Sequence, residues 1–283
     1  MSGFPCGTGY GKIILVNLSS RTKEVFGLTN KVKELIRSGK TALGTMIAEV
    51  GIPEVARVMA VAGFDFVIID TEHSPFSFET VTNIVRAGKT MGIPCFARVP
   101  DAEYHLIART LDAGASGIMV PRVETLNKVE EVIRAAKYPP VGERGFGART
   151  IITDYQNTPV RDLAAQQNQD TLVILQIERR RAIENIDSLL SVAGIDVALI
   201  GPNDLSISLG VPGDEDNPIM VEAIQKVVEA CERHGIVSGI HLGDMKRLLF
   251  WKERGMRFLM YSTDAKFLLS AASASVKDIR ETM

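Results

Sequence analysis

Cysteine is scarce here: three in 283 residues, Cys6, Cys95 and Cys231. The odd count without paired spacing argues against a disulfide framework and points to buried, reduced thiols, with a reducing cytoplasm as the default location. Long apolar runs are missing too. Nothing approaches the ~18 residues of a membrane span. Ile13-Ile-Leu-Val16 is too short for the core of a secretion signal, and no small-residue cleavage site follows it. Charge of one sign is also lacking: the net charge of −2 gives no reason to expect nucleic acid or an anionic membrane as a partner. A glycine-rich turn after the first strand, which a dinucleotide-binding sheet requires, is absent.

What remains is strong alternation. From about residue 41 the chain switches between apolar, β-branched runs and 3.6-periodic segments. The expected strands are Leu43–Ala48, Phe64–Asp70, Pro94–Val99, Gly117–Pro121, Thr171–Glu178, Val197–Gly201, Val237–Leu242 and Arg257–Tyr261. The helical pattern covers 53–62, 78–91, 102–113, 126–136, 182–192, 221–234 and 245–254. Glycines at 63, 92, 114, 194, 235 and 255 each follow a helical stretch, where a left-handed cap favours them. Eight such units in ~240 residues predict an α/β fold, a TIM (β/α)8 barrel over residues 31–283. Residues 1–30 read as a short accessory N-terminal extension in which 12–18 and 24–28 could pair as a hairpin. Residues 137–170, rich in Gly, Pro and Gln, read as a long connection of the kind that forms lids or binding loops.

Polar residues at the strand ends carry the chemistry. In such barrels catalytic groups sit where the strands finish. Glu178 and Asp204 end adjacent apolar runs, and two hard oxygen ligands with room for water and substrate describe a Mg²⁺ or Mn²⁺ site. The competing reading is a rim salt bridge with Arg179, Arg180 or Arg181. Pro202 and Asn203 suggest a tight turn with exposed backbone donors for a substrate carboxylate. His73, beside Asp70 and Glu72, is placed to move a proton; an ordinary loop histidine is the alternative. His105 reads as mid-helix, and His241 is a minor candidate for the same rim. Arg98 should face the mouth and bind an anion, against a plain ion pair with Asp70 or Glu72. Asp112, at a helix end, becomes functional only if the fold brings it near His73. No lysine stands at a comparable strand end, which disfavours a Schiff-base mechanism.

Taken in order, Asp70-Thr-Glu-His73-Ser, Phe96-Ala-Arg98-Val-Pro, Leu111-Asp112-Ala-Gly-Ala, Met119-Val-Pro121, Tyr138-Pro-Pro-Val-Gly142-Glu-Arg-Gly145, Gln176-Ile-Glu178 and Gly201-Pro-Asn-Asp204-Leu-Ser206 resemble the HpcH/HpaI aldolases, metal-dependent class II pyruvate aldolases. The resemblance spans about residues 32–275. It implies reversible aldol cleavage of a 4-hydroxy-2-oxo acid into pyruvate and an aldehyde through a pyruvate enolate. By position, it implies His73 as base, Asp112 as the carboxylate that raises its basicity, and Arg98 as the group that stabilises the enolate. Glu178 and Asp204 match ligands of a divalent cation, Mg²⁺ or Mn²⁺ with Co²⁺ as a third option. Gln176 and the backbone at Asn203 match contacts to pyruvate. It also implies a homo-oligomer, dimers assembled into hexamers, in which the last helix is exchanged. Arg179-Arg-Arg181 departs from the family pattern, which carries Thr and small residues there, and so puts the substrate in question more than the reaction. Two further readings compete: a carbon–carbon lyase for malyl- or citramalyl-CoA thioesters, and a catalytically inactive barrel serving as a binding subunit.

Overall fold

In the computed structural model, residues 30–147 and 151–283 are described. The expected 1–30 extension and its hairpin therefore lie outside the described residues, Asn30 excepted. The strands are β1 (Ala42–Ile47), β2 (Phe66–Asp70), β3 (Cys95–Arg98), β4 (Gly117–Val120), β5 (Leu172–Ile177), β6 (Val197–Ile200), β7 (Val237–Leu242) and β8 (Phe258–Thr263). Each pairs in parallel with the next, and β8 closes on β1, giving an eight-stranded α/β barrel. The helices are α1 (Lys31–Arg37), α2 (Glu54–Val61), α3 (Phe78–Met91), α4 (Tyr104–Asp112), α5 (Leu126–Ala136) and α6 (Val160–Asp170). They continue as α7 (Arg180–Glu184), α8 (Ile186–Leu190), α9 (Pro202–Leu209), α10 (Pro218–His234), α11 (Met245–Glu253) and α12 (Asp264–Thr282).

Alternation along each strand decides what enters the barrel, because successive side chains point to opposite faces. One parity fills the interior with Met46, Phe66, Ile68, Phe96, Met119, Ile174, Leu199, Phe258 and Met260, and α1 closes its floor with Val32 and Ile36. Three phenylalanine rings meet at the centre, Phe66 lying 4.3 Å from Phe258 and 5.5 Å from Phe96. Gly44 is required beside them, since a Cβ there would come within 2.2 Å of the Phe66 ring. The opposite parity packs against the outer helices in two further apolar clusters.

Three expectations about local structure need correction. Residues 137–170 are not one irregular connection. They join the end of α5 to the start of β5, on the floor side of the barrel, and their last third is helix α6. That helix is polar, buries Leu163 alone, and so offers little apolar periodicity to read. The segment 182–192 is two short helices, α7 and α8, rather than one. His105 stands in the first turn of α4 and not mid-helix.

Candidate active site at the strand C-termini

The interior parity that buries Phe66 and Ile68 places Asp70 inward at the top of β2. Likewise Phe96 sets the direction of Arg98 on β3, and Ile174 that of Gln176 on β5. Asp70 and Arg98 are register partners. Arg98 meets Asp70 through Nε at 2.8 Å and Nη2 at 2.6 Å, both side chains being buried. Burial alone would raise the Asp70 pKa. The hydrogen bonds and charge of Arg98, with the backbone N–H groups of Glu72 and His73, win and hold it below the usual carboxylate range. Those N–H groups donate to Asp70 Oδ1 at 3.0 and 3.4 Å, so one carboxylate also shapes the turn that presents His73. The ion pair considered as the alternative for Arg98 is thus formed. Its other edge faces Glu72, Nη1 lying 3.4 Å from Oε2.

Glu72, read from the sequence only as a neighbour of His73 and a candidate partner of Arg98, is the hub of the mouth. Its side chain is nearly buried and contacts Arg98, His73 Nε2 at 3.8 Å and Arg122 Nη2 at 3.4 Å. His73 itself is largely exposed, at 65%.

Glu178 follows β5 and is buried at the mouth. It accepts a hydrogen bond from the Arg122 backbone N–H at 2.8 Å and another from the Gln176 amide. Burial, then the neighbouring charges of Asp204 and Glu72, push its carboxyl up to about 7, against the pull of the Arg122 N–H and of Arg98. The rim salt bridge to the adjacent arginines, the competing reading for Glu178, is not made. Arg179 pairs with Glu124 at 3.3 Å, and Arg180 donates to the Leu209 carbonyl. Asp204 and Asn203 lie not in a free turn but in the first turn of α9, with Pro202 at its start. Proline suits that position because its missing N–H would have had no partner there. The unpaired N–H groups of a first helical turn still favour an anion.

Gln176 keeps a buried Oε1 with no hydrogen-bond partner among the described residues. A Cβ on Gly201 would stand 2.8 Å from the Gln176 amide nitrogen and 2.9 Å from Glu178 Oε2. Among the described residues, no three His, Cys, Asp or Glu side chains converge closely enough to hold an ion. Two mutually repelling carboxylates beside an orphaned amide oxygen, with space kept open by glycine, nevertheless fit a hard dication that retains water and substrate ligands.

Asp112 is not brought to His73 within the chain. Helix α4 runs antiparallel to the strands, so its last residue lies toward the barrel floor, where Asp112 pairs with buried Arg144 at 2.7 Å. Three further groups at the mouth were legible only weakly. His241 shares the inward parity of β7, donates from Nε2 to the Ser262 carbonyl (2.8 Å), and is pulled below its ordinary pKa mainly by burial. Arg122 reaches the site through a left-handed backbone, φ 52°, which no local pattern announces. Asp264 is buried and accepts from the N–H groups of Ala48, Glu49 and Val50, pinning the loop after β1 to the rim.

A closed parallel barrel with acidic and basic groups gathered at its strand C-termini defines a carbon–carbon lyase of the aldolase type once its relatives are considered. The chain belongs to the HpcH/HpaI aldolase/citrate lyase family, whose sequence profile matches residues 49–271. It is 30% identical over 258 residues to a hydroxypyruvate/pyruvate aldolase of Paraburkholderia phytofirmans, covering 89% of this chain and 98% of the relative. It is 33% identical over 204 residues to a 2-keto-3-deoxy-L-rhamnonate aldolase of Salmonella schwarzengrund, covering 72% and 74% of the two chains. The crystal structure of an HpcH/HpaI aldolase from Desulfitobacterium hafniense superposes with a TM-score of 0.85 at 36% identity, covering 88% of this chain and 96% of that one. Among the described residues, no helix is long and apolar enough to cross a membrane.

Proposed function

We propose that this enzyme cleaves and forms 4-hydroxy-2-oxo acids, with pyruvate as one product or donor and an aldehyde as the other. The observation that carries the reading is the buried Glu178 carboxylate at the mouth, acted on by the charges of Asp204, Glu72 and Arg98, beside the unpartnered Gln176 Oε1. Glu178 and Asp204 would hold a divalent cation, Mg²⁺ or Mn²⁺. Such an ion, when bound, supplies Lewis-acid polarisation of a chelating 2-oxo acid.

The chain's own groups account for the rest. Arg98 is locked by Asp70, so its guanidinium stands as a preoriented positive charge where negative charge develops on the enolate oxygen; one such donor can be worth about 3 kcal/mol of barrier. Gln176, with its amide turned to Glu178, and the Asn203 backbone N–H would hold the pyruvate end. His73, exposed and beside Glu72, would transfer the proton at the pyruvate methyl carbon or the 4-hydroxyl, through water where the reach is long. Asp112 cannot assist it from its own chain.

Exchange of the pyruvate methyl protons in D₂O tests this directly. The purified protein with Mn²⁺ should catalyse exchange, chelator should stop it, and His73→Ala should lower it by about 100-fold, within the range of general acid–base contributions. A thioester lyase that ignores pyruvate, or an inactive barrel, would give no exchange at all. An unchanged rate in His73→Ala would remove that histidine from the mechanism.

The same reading extends to assembly. From Leu268 to Met283 every residue of the terminal segment is exposed, and α12 meets the barrel at its start, through buried Asp264 and through Phe267, whose ring is 5.8 Å from those of Phe64 and Tyr261. Leu269, Val276 and Ile279 share one stripe of this helix. A second copy of the chain would cover it. Sedimentation should show an oligomer, and removal of residues 268–283 should reduce it to smaller species; a full-length chain that sediments as a monomer would end the idea.

A further inference from the structure

Arg122 is set apart from Arg179, Arg180 and Arg181 by sharing the Glu72 carboxylate with Arg98. Arg179 is engaged by Glu124, Arg180 by the Leu209 carbonyl, and Arg98 by Asp70 on two nitrogens. Arg122 is fixed at one corner only. Its Nη2 donates to the Pro100 carbonyl and lies 3.4 Å from Glu72 Oε1, while Nε and Nη1 carry no partner among the described residues. Its guanidinium is about half exposed, at 45%. Its backbone N–H is spent on Glu178, so the residue is anchored at both ends and its free edge is held at the opening instead of sweeping solvent.

The position relative to Arg98 is specific. Both guanidinia approach the same Glu72 carboxylate, Arg98 at Oε2 and Arg122 at Oε1. They are separated by no more than one carboxylate and its two contacts. A substrate whose reacting end lies at Arg98 and Glu178 would bring the far end of a short aldehyde portion toward Arg122. Arg98 is already paired with Asp70 on two nitrogens, so Glu72 and the charge of Asp101 act on Arg122, which keeps its unpartnered Nε and Nη1 for a ligand at the edge of the site. Nε and Nη1 can each still donate a single charge-assisted hydrogen bond to a carboxylate or phosphate oxygen, since both two-pronged edges of the guanidinium share the occupied Nη2.

We infer that Arg122 determines specificity: it receives an anionic group, carboxylate or phosphate, carried on the aldehyde half of the substrate. This rests on the aldolase reading above and names the substrate class within it. The inference requires no new chemistry, because the anion stays remote from the bond that forms or breaks, and its binding energy is felt in kcat/KM for the charged acceptor.

The test is aldol addition of pyruvate, with Mn²⁺ present, to matched acceptors: succinic semialdehyde against butanal, and glyceraldehyde 3-phosphate against glyceraldehyde. The wild type should prefer at least one charged member of these pairs by tenfold or more in kcat/KM, mostly through KM. Which pair shows the larger preference separates carboxylate from phosphate. In Arg122→Met that charged-to-neutral ratio should collapse toward one, and in Arg122→Lys it should be partly kept. Each rate is divided by the same variant's pyruvate proton exchange, so a general loss of activity or folding cancels. A wild-type ratio near one, or a ratio that survives Arg122→Met, would overturn the inference while exchange continues. Absence of exchange in the wild type would overturn the aldolase reading and this inference together.

Discussion

Glu178→Gln should abolish divalent-ion binding and slow pyruvate proton exchange by about a thousandfold, the several kcal/mol that Lewis-acid stabilisation of a developing oxyanion supplies. The substitution keeps the shape of the side chain and its acceptance of the Arg122 N–H, so loss of fold is not the expected cause. The physical basis is the crowding seen at the mouth. Burial and the charges of Asp204 and Glu72 make ionised Glu178 costly, and a dication offsets that cost. The ion-free variant should therefore be at least as stable as the ion-free wild type. The wild type should gain thermal stability on adding Mn²⁺, and the variant should not. Titration calorimetry and melting with and without Mn²⁺ read both effects. Equal ion affinity in the two proteins would remove Glu178 as a ligand.

Arg98→Leu should have the largest effect on stability. It leaves Asp70 buried with two backbone donors in place of a two-pronged guanidinium, and breaking such a pair costs about 3–5 kcal/mol. That is a large part of the stability of an ordinary domain. The loss should depend on pH in a definite sense. In the wild type the folded Asp70 pKa is depressed, so the pair contributes fully above the unfolded value near 4, and the contribution fades as pH falls through the folded value. In the variant, burial raises the Asp70 pKa against only the two backbone donors, so the penalty is felt while the group is ionised. The gap between the two proteins should be widest near neutrality and close in acid. Urea melts at a series of pH values measure it, and a gap independent of pH, or below about 1 kcal/mol, would show that the pair is not worth its burial. Arg98→Lys should fall between the two, since it restores charge without the fork.

Much of this architecture is legible in the sequence because a parallel barrel writes its strands as apolar runs. β7 matches its expected limits at both ends; β2 ends at Asp70 as read, because burial on both faces demands apolar residues until the first polar group at the rim. Strand parity then makes the inward direction of Asp70, Arg98 and Gln176 a consequence of the phenylalanines and isoleucines before them. What was not legible depends on contacts across the chain. The site of Arg122 follows from a left-handed φ and a hydrogen bond to a residue 56 positions later. Asp264 binds a loop more than 200 residues earlier. Helix α6 is hidden by its own polarity, and Asp204 sits in a helical first turn because Pro202 can start a helix as readily as a turn. The separation of Asp112 from His73 was invisible for the opposite reason: each motif reads well alone, and only the antiparallel return of α4 shows that one faces the floor and the other the mouth.

The bare backbone at Gly201 has a consequence for how this scaffold can diversify. Any side chain there must displace the amide of Gln176 and the carboxylate of Glu178, the groups the site needs in place, so the wall just after β6 tolerates little variation. New tastes in aldehyde must then arise elsewhere on the rim, at positions such as 122 and 179 where side chains already reach water. A library built on those outer positions should yield altered acceptors with the proton-transfer core intact, whereas one that includes residue 201 will mostly yield inert barrels.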